Sequence, residues 1–117
     1  MPRNMSFAMT TEQVQNRTKD VTRRFGWNFL KAGDKVWAVK KAMGLKKGER
    51  VERLALIEIV SITSEPLNHI TQDDVIREGF PEWAPWQFID FLVKHYKCER
   101  TKPVNRIEFK YLEKEHV

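Results

Sequence analysis

One stretch of the chain decides how its fold is interpreted: residues 17–24 have the sequence RTKDVTRR. It contains four cations, of which Lys19, Arg23 and Arg24 lie within three residues of the hydroxyl-bearing Thr22. Arginine offers forked hydrogen-bond donors to phosphate or carbonyl oxygens. A lysine that is shielded from water and close to other cations has a lowered pKa and can activate a neighbouring hydroxyl as a nucleophile. The stretch therefore predicts a ligand-facing loop; the alternative is a basic turn exposed to solvent.

The spacing within this stretch also constrains the backbone. Lys19 and Thr22 are three residues apart, so in one regular strand they would point to opposite faces of the sheet. If both are to face one ligand, the chain must turn near Asp20. We therefore expect Lys19 on a loop and Thr22 at the start of a short strand.

Four other segments are predicted as strands because apolar, β-branched or aromatic residues are concentrated in them. In the segment at residues 107–111, apolar and aromatic residues alternate strictly with charged ones. Alternation is broken near Leu56 and Ile57, which predicts a bulge there or burial of both faces. The four segments are residues 5–9, 36–39, 51–62 and 107–111.

Three short helices are expected between the strands. Thr10 and Thr11 can cap the first, and Thr71 is a suitable N-cap for the second, which Gly79 would end. Pro85 suits the first turn of the third helix, whose apolar residues recur at helical spacing. The helices are expected at residues 10–17, 71–79 and 85–96.

Between the first helix and residue 36, Trp27, Phe29 and Leu30 alternate imperfectly before a turn signal at residues 32–34. The order of elements is therefore β-α-β-β-β-α-α-β, give or take a short strand near Thr22. Strands in this order cannot all be joined by βαβ crossovers, which argues against a doubly wound sheet. We predict one α+β domain over residues 1–117. Its mixed, strongly curved sheet would form a small β-barrel, with the short helices covering the openings.

Charge is distributed unevenly along the chain. Residues 1–53 contain thirteen Lys and Arg residues against five Asp and Glu residues, a net charge of +8, whereas residues 54–117 have a net charge of −3. A basic half within one domain favours a polyanionic partner such as nucleic acid. The segment 40–50, with four lysines and two glycines, predicts a flexible loop between two strands.

Two motifs resemble the signature of the ASCH domain family. That signature is a Gly-x-Lys-x-x-Thr-x-Arg pattern followed by a Pro/Thr/Ala-Gly-Asp turn into a strand. Here the corresponding stretches are RTKDVTRR at residues 17–24 and KAGDKVW at residues 31–37, and RIEF at residues 106–109 resembles the closing strand of the family. The resemblance covers residues 5–112. It implies a β-barrel related to the PUA fold, a class associated with RNA binding and with recognition of modified nucleosides.

The resemblance also implies a catalytic site. Small bacterial N4-acetylcytidine amidohydrolases of this family use a lysine, a threonine and a glutamate, which correspond here to Lys19, Thr22 and Glu78. In that reaction Thr22 would attack the carbonyl, Lys19 would accept its proton, and Glu78 would return a proton to the leaving amine.

The sequence departs from the family pattern in three places. Arg17 stands where the family has glycine, the lysine-rich loop 40–50 is inserted, and Trp83 and Trp86 extend the region after the second helix. These changes alter the surroundings of the site, so the resemblance does not imply the same substrate.

Two main hypotheses about function follow. The first is binding of RNA or single-stranded DNA in a basic cleft, with Trp27 stacking on a base, an interaction worth ~1–3 kcal/mol. The second is the amidohydrolase acting on an acylated nucleoside or a similar small amide. A protein-interaction domain is a third, weaker hypothesis. The cations expected in the cleft are Arg17, Lys19, Arg23, Arg24, Lys40, Lys41, Lys46 and Lys47.

Other features narrow the cellular setting and the chemistry. Cys98 is the only cysteine, which excludes an internal disulfide and is typical of a reducing compartment. His69, His95 and His116 do not share metal-ligand spacing, and no glycine-rich phosphate loop is present, so we expect neither a metal nor a cofactor. No apolar run is long enough to span a membrane, and no secretory signal pattern is visible. We expect a cytoplasmic protein without a membrane partner.

Overall fold

The elements follow one another in the order that the sequence predicts. The computed structural model describes residues 2–42 and 45–112, in which the order is β-α-β-β-β-α-α-β. The strands are β1 (Arg3–Ser6), β2 (Val21–Arg24), β3 (Lys35–Val39), β4 (Arg53–Pro66) and β5 (Pro103–Tyr111). The helices are α1 (Thr11–Gln15), α2 (Gln72–Arg77) and α3 (Pro85–Tyr96), and short 3-10 turns at Ala8–Thr10 and Leu67–His69 come before α1 and α2.

The short strand near Thr22 is present and is the second strand of the sheet. It begins at Val21, so Lys19 lies on the preceding loop and Thr22 at the strand start, as expected. Residues 27–30 form a turn, in which Leu30 N donates to Trp27 O at 3.2 Å. Their imperfect alternation therefore does not correspond to a strand.

The first strand is displaced from its predicted range of residues 5–9. It ends at Ser6, and Phe7 N makes one more strand-like bond to Val39 O at 2.8 Å. Thr10 N then donates to Phe7 O at 3.0 Å and closes the 3-10 turn. The prediction of strand up to residue 9 is therefore wrong, because the chain turns immediately after Phe7.

Helix α1 is shorter than predicted and is not capped as predicted. Thr10 makes no capping bond through its side chain, and the Thr11 hydroxyl instead donates to Phe7 O at 2.9 Å. The helix ends at Gln15, because Arg17 adopts the left-handed conformation, with φ of 62°. Arg17 thus has the backbone geometry that glycine, the residue of the family pattern at this position, adopts most easily, so the departure from that pattern keeps the turn but strains the backbone.

The long strand β4 exceeds its predicted range of residues 51–62. It continues to Pro66, which is opposite Pro103, because β5 pairs with it from Ile57 to Pro66. The register shifts between Ile59 and Ser61, so the bulge lies a few residues beyond the predicted position. The second and third helices agree closely with the sequence. Thr71 caps α2 by accepting a hydrogen bond from Asp74 N at 3.2 Å.

All five strands belong to one mixed sheet, in the order β1-β3-β4-β5-β2. The β1–β3 pair is parallel and the other pairs are antiparallel. The sheet is a half-barrel, with β1 and β2 as its edges. A side chain bridges these edges, because Arg24 Nη2 donates to Ser6 O at 2.6 Å. The predicted α+β class and mixed sheet are confirmed.

Each face of the sheet carries a hydrophobic core. Along β5, Ile107 and Phe109 belong to one cluster and Val104 to the other, as expected when odd and even residues face opposite sides. The second cluster joins the sheet to α2 and α3 through residues such as Val75 and Phe88. Among the helices described, none is long and apolar enough to cross a membrane.

One carboxylate links α2 to the sheet. Arg23 in β2 and Arg106 in β5 lie directly opposite each other, an arrangement in which like charges destabilise a sheet. The Asp74 carboxylate of α2 lies between them, with Oδ2 2.6 Å from Arg23 Nη2 and 2.6 Å from Arg106 Nε. Hydrogen bonds from Arg106 and then Arg23 outweigh burial and lower the pKa of Asp74 to about 2.

This pKa predicts a specific loss of stability in acid. Since the folded pKa lies below the ordinary value of 3.8, the contribution of Asp74 is complete above about pH 4 and is lost as the pH falls through 2. We expect the free energy of unfolding to decrease by about 2 kcal/mol over this range from Asp74 alone. Urea unfolding between pH 2 and 5 should show this decrease in the wild type and not in Asp74→Asn.

Asp73→Asn is the matched control, because Asp73 is the exposed neighbour in the same first turn. It should retain the pH dependence of the wild type. An Asp74→Asn protein with the same pH dependence as the wild type would contradict the assignment.

Candidate functional site

A cavity of about 280 Å³ lies beside β2, at the edge of the sheet. Its walls come from the end of β1, the first 3-10 turn, β2, the end of α2 and one face of α3. The volume is at the lower end of the range for small-molecule sites. The polar and charged residues that line it include Lys19, Thr22, Arg23, Arg24 and Glu78.

Lys19 is buried and bonded to Glu78. Its ammonium Nζ donates to Glu78 Oε1 at 2.6 Å and to Glu78 O at 2.9 Å, and only 3% of the residue is exposed. Burial lowers the pKa of Lys19, the contact with Glu78 opposes this effect, and Arg24 and Arg23 add to the lowering. The backbone is held as well, because the Tyr111 hydroxyl donates to Lys19 O. Lys19 is therefore held in place, and its lowered pKa makes its proton easier to lose.

Glu78 is positioned by the end of helix α2. Its N–H donates to Asp74 O at 2.8 Å, and Gly79 then turns the chain with φ of +104°. A Cβ atom at residue 79 would lie 2.6 Å from Cγ of Gln13, so only glycine fits there without movement. The carboxylate is held at both oxygens, since Arg23 Nη1 donates to Oε2 at 3.1 Å.

Arg23 is neutralised within the protein. Besides Glu78, its guanidinium contacts Glu65 at 2.8 Å and Asp74 at 2.6 Å. Burial alone would lower the pKa of Arg23, but these contacts, led by the hydrogen bond that Arg23 donates to Asp74, raise it. Its Nε atom is buried and has no hydrogen-bond acceptor among the described residues. Arg23 is thus a structural and positioning group and not a free cation on the surface.

Thr22 and Arg24 extend from β2 on the other face of the strand. The buried Thr22 hydroxyl accepts a hydrogen bond from Arg24 Nε at 3.2 Å. The Arg24 guanidinium also lies over the ring of Phe7, with 4.6 Å between its Cζ atom and the ring centroid. Burial lowers the pKa of Arg24. A cation is therefore adjacent to the hydroxyl that the sequence identifies as a candidate nucleophile.

The residues predicted to contact nucleic acid are divided between two regions. Lys19, Arg23 and Arg24 line the cavity. Arg17 is exposed, with its guanidinium over the Tyr111 ring at 4.7 Å, and is not part of the lining. The four lysines of the β3–β4 connection are also outside the lining: Lys40, Lys41, Lys46 and Lys47.

The tryptophans lie outside the cavity as well. Trp27 is partly buried against the first core and pairs with Phe29, with 5.5 Å between ring centroids. Trp83 stacks on Phe80 at 4.3 Å, whereas Trp86 is 62% exposed. None of these three indoles lines the cavity. Its aromatic wall comes from Phe7, Phe80, Phe88, Phe91, His95 and Tyr96.

Sequence reasoning missed the carboxylates that neutralise Arg23. In the sequence, Asp74 is a charge in the first turn of a predicted helix, and Glu65 comes directly before Pro66 at the end of a predicted strand. A local signal existed for α2, because Asp74 and Glu78 are four residues apart and therefore share one helix face. No comparable signal links Glu65 to Arg23, which lie 42 positions apart. In the described ranges, no group of three or more His, Cys, Asp or Glu residues could hold a metal ion; His116 lies outside those ranges.

Comparison with known proteins identifies the fold. No protein-family model matches the sequence, and no curated protein matches it. Among solved structures, the chain is similar to the DUF984 protein EF3133 of Enterococcus faecalis V583, with a TM-score of 0.68, 15% identity, and coverage of 96% of this chain and 77% of that one. A hypothetical protein, PH0355, has a TM-score of 0.66 and 12% identity over 96% of this chain and 100% of its own.

A third similar structure is an ASCH domain from Lactobacillus crispatus JV V101. Its TM-score is 0.63 and its identity 15%, with coverage of 93% of this chain and 78% of that domain. The chain therefore has an ASCH-like fold, as its sequence motifs imply.

The positive φ of Gly79 yields a test of how Glu78 is held. We expect Gly79→Ala to destabilise the protein by at least about 1 kcal/mol more than Gly26→Ala, because overpacking adds to backbone strain. Gly26 is the matched control, since it has φ of +79° but no atom within 4 Å of an added Cβ. Urea unfolding measures both changes; equal destabilisation would contradict the proposed contact with Gln13.

Proposed function

We propose that this chain is an amidohydrolase that acts on an acylated nucleoside or a similar small amide. The observation that carries the proposal is that Lys19, Thr22 and Glu78 line one cavity, although Lys19 and Glu78 lie 59 positions apart. The resemblance to the N4-acetylcytidine amidohydrolases assigns roles to these three residues. A cavity of about 280 Å³ also suits a small molecule better than an oligonucleotide.

The Lys19–Glu78 pair supplies both the base and the acid. At 2.6 Å, one proton can be shared between Lys19 Nζ and Glu78 Oε1. With that proton on the carboxyl group, the amine is neutral and can accept the hydroxyl proton of Thr22. Burial lowers the pKa of Lys19 and so favours its neutral amine, and the contact with Glu78 opposes this effect.

The reaction then proceeds in two halves. Thr22 Oγ1 attacks the amide carbonyl, its proton passes to Lys19, and the amine leaves with a proton from Glu78. Water hydrolyses the resulting threonine ester, which releases the carboxylic acid and restores the hydroxyl. In the present arrangement Lys19 contacts Glu78 while the Thr22 hydroxyl contacts Arg24. Substrate binding must therefore bring the Lys19 amine and the Thr22 hydroxyl together.

Hydrolysis of N4-acetylcytidine, followed as release of cytidine by chromatography, tests this proposal. We expect Lys19→Met, Thr22→Val and Glu78→Gln each to lower kcat/KM by about 100-fold or more, because each removes a proton-transfer or nucleophilic group. Thr18→Val and Lys31→Met are matched controls at exposed positions and should keep the wild-type rate. Turnover that persists in Lys19→Met or Thr22→Val would refute these roles.

A second candidate function, binding of RNA or single-stranded DNA, is supported by a different part of the molecule. Lys40, Lys46 and Lys47 are exposed on the β3–β4 connection, and residues 1–53 have a net charge of +8. Exposed lysines attract phosphates without base specificity. In this function the connection would follow the phosphate backbone. For either function we infer a cytoplasmic location, which the single cysteine favours.

Fluorescence anisotropy with labelled RNA and DNA oligomers across a salt series tests this second function. Replacing Lys40, Lys41, Lys46 and Lys47 by alanine should weaken binding and reduce the salt slope by as much as about 3, since each phosphate contact in a single strand contributes about 0.7. The melting temperature should change little, because exposed charges contribute little to folding.

A second quadruple variant controls for net charge. It replaces four exposed lysines of the acidic half by alanine: Lys94, Lys97, Lys102 and Lys110. It removes the same charge and should bind like the wild type. Equal binding by both quadruple variants would show that the β3–β4 connection is not the nucleic-acid site.

A further inference from the structure

The charges around the cavity are not balanced. Lys19 is paired with Glu78, and Arg23 with Glu65, Asp74 and Glu78. Arg24 also lines the cavity, but no carboxylate of the described residues lies within ion-pair distance of it. The cavity wall therefore carries a positive charge that the described part of the protein does not neutralise.

Arg24 is held rigidly by neutral groups. Its Nη2 donates to Ser6 O at 2.6 Å, its Nε donates to Thr22 Oγ1 at 3.2 Å, and its plane lies over the ring of Phe7. Its Nη1 has no hydrogen bond to any residue that the structure describes. A partly buried guanidinium without a counterion is costly. An anion bound in the cavity would remove that cost.

A second donor in the same lining has no acceptor. Arg23 Nε is buried without a hydrogen-bond partner in residues 2–42 and 45–112, although every other nitrogen of that guanidinium contacts a carboxylate. Beyond these donors the cavity is aromatic, with Phe80, Phe88 and Phe91 in its wall. The lining thus combines a cationic end with a surface suited to a planar, uncharged group.

We propose that the cavity binds an anionic amide. Arg24 donates hydrogen bonds to an oxyanion carried by the acyl group of this amide, while the amine portion packs on the aromatic wall. This deepens the proposed function and rests on it. Hydrolysis would break the C–N bond and form a bond from the acyl carbon to the oxygen of water. It would release a dicarboxylic acid and the amine, whose nitrogen takes up the other proton of water.

The distance between Arg24 and Thr22 indicates that the anion belongs to the acyl group of the substrate and not to its amine portion. Arg24 Nε is 3.2 Å from Thr22 Oγ1, the atom that attacks the carbonyl. An oxyanion one hydrogen bond beyond the free Nη1 atom lies within about 8 Å of that hydroxyl. A carboxylate only a few bonds along an acyl chain fits this distance. The 5′-phosphate of an acylated cytidine lies across the ribose from the amide and fits it less well.

Calorimetric binding of a small half-amide tests the inference without turnover. Succinamate is the anionic probe, propionamide the neutral probe, and inorganic phosphate the alternative anion. We expect wild-type protein to bind succinamate about 10- to 100-fold more tightly than propionamide and more tightly than phosphate, as a charged hydrogen bond predicts. Equal affinity for succinamate and propionamide would overturn the proposal, and tighter binding of phosphate would overturn the placement on the acyl side.

Variants link the preference to one side chain. Arg24→Gln should abolish the preference for succinamate, and Arg24→Lys should retain part of it because the charge remains without the fork. Arg3→Gln is the matched control, because Arg3 is an exposed arginine whose guanidinium also lies over a phenylalanine ring, that of Phe29 at 4.5 Å. Circular dichroism and the melting temperature establish that each variant is folded.

Hydrolysis separates this inference from the proposed function. N4-succinylcytidine should be a better substrate than N4-acetylcytidine by about 10-fold or more in kcat/KM, and Arg24→Gln should remove that difference. If N4-acetylcytidine is hydrolysed through Lys19 and Thr22 but succinamate shows no Arg24-dependent binding, only the present inference is overturned. If succinamate binds through Arg24 and neither amide is hydrolysed, the anion site is supported and the amidohydrolase is refuted.

Discussion

The structure depends on one carboxylate placed between two arginines. Arg23 and Arg106 lie side by side on neighbouring antiparallel strands, where their charges would repel each other. Asp74 contacts both at 2.6 Å and comes from a helix that packs on the same face of the sheet. The sheet therefore accommodates this pair of arginines only when helix α2 packs in the orientation that places Asp74 between them. Removing one partner of such a buried ion pair is costly, because it leaves a buried charge without its counterion.

The orientation of α2 in turn creates the candidate site. Asp74 and Glu78 are one helical turn apart, so docking the first residue on Arg23 also delivers the second to Lys19 and to Arg23 Nη1. Gly79 allows the chain to leave the helix immediately afterwards, against the side chain of Gln13. Asp74, the carboxylate that links α2 to the sheet, therefore also positions Glu78, the proposed acid.

Arg24, the remaining cation, gives the cavity its unneutralised positive charge. Lys19 and Arg23 have carboxylate partners, whereas Arg24 is held by a carbonyl, a hydroxyl and an aromatic ring. Neutral partners fix the direction of a guanidinium without cancelling its charge. The same residue also connects the two edge strands of the half-barrel through Ser6 O. The unneutralised charge therefore sits on a rigid part of the fold, which favours recognition of an anion next to the proposed nucleophile.

The sequence by itself determined the order of the elements, the caps at Thr71 and Gly79, and the position of Lys19 on the loop before the strand that holds Thr22. These features depend on a few neighbouring residues, so alternation, helical spacing and glycine conformations are sufficient to predict them. Element ends were predicted less well, because β4 extends as far as its partner β5 and not as far as its own pattern. Only the tertiary structure decided which cations are neutralised. The sequence shows how many charged residues the chain has but not which of them lie together. Glu78, the partner of Lys19, lies 59 positions away and becomes its neighbour only when α2 packs on the sheet.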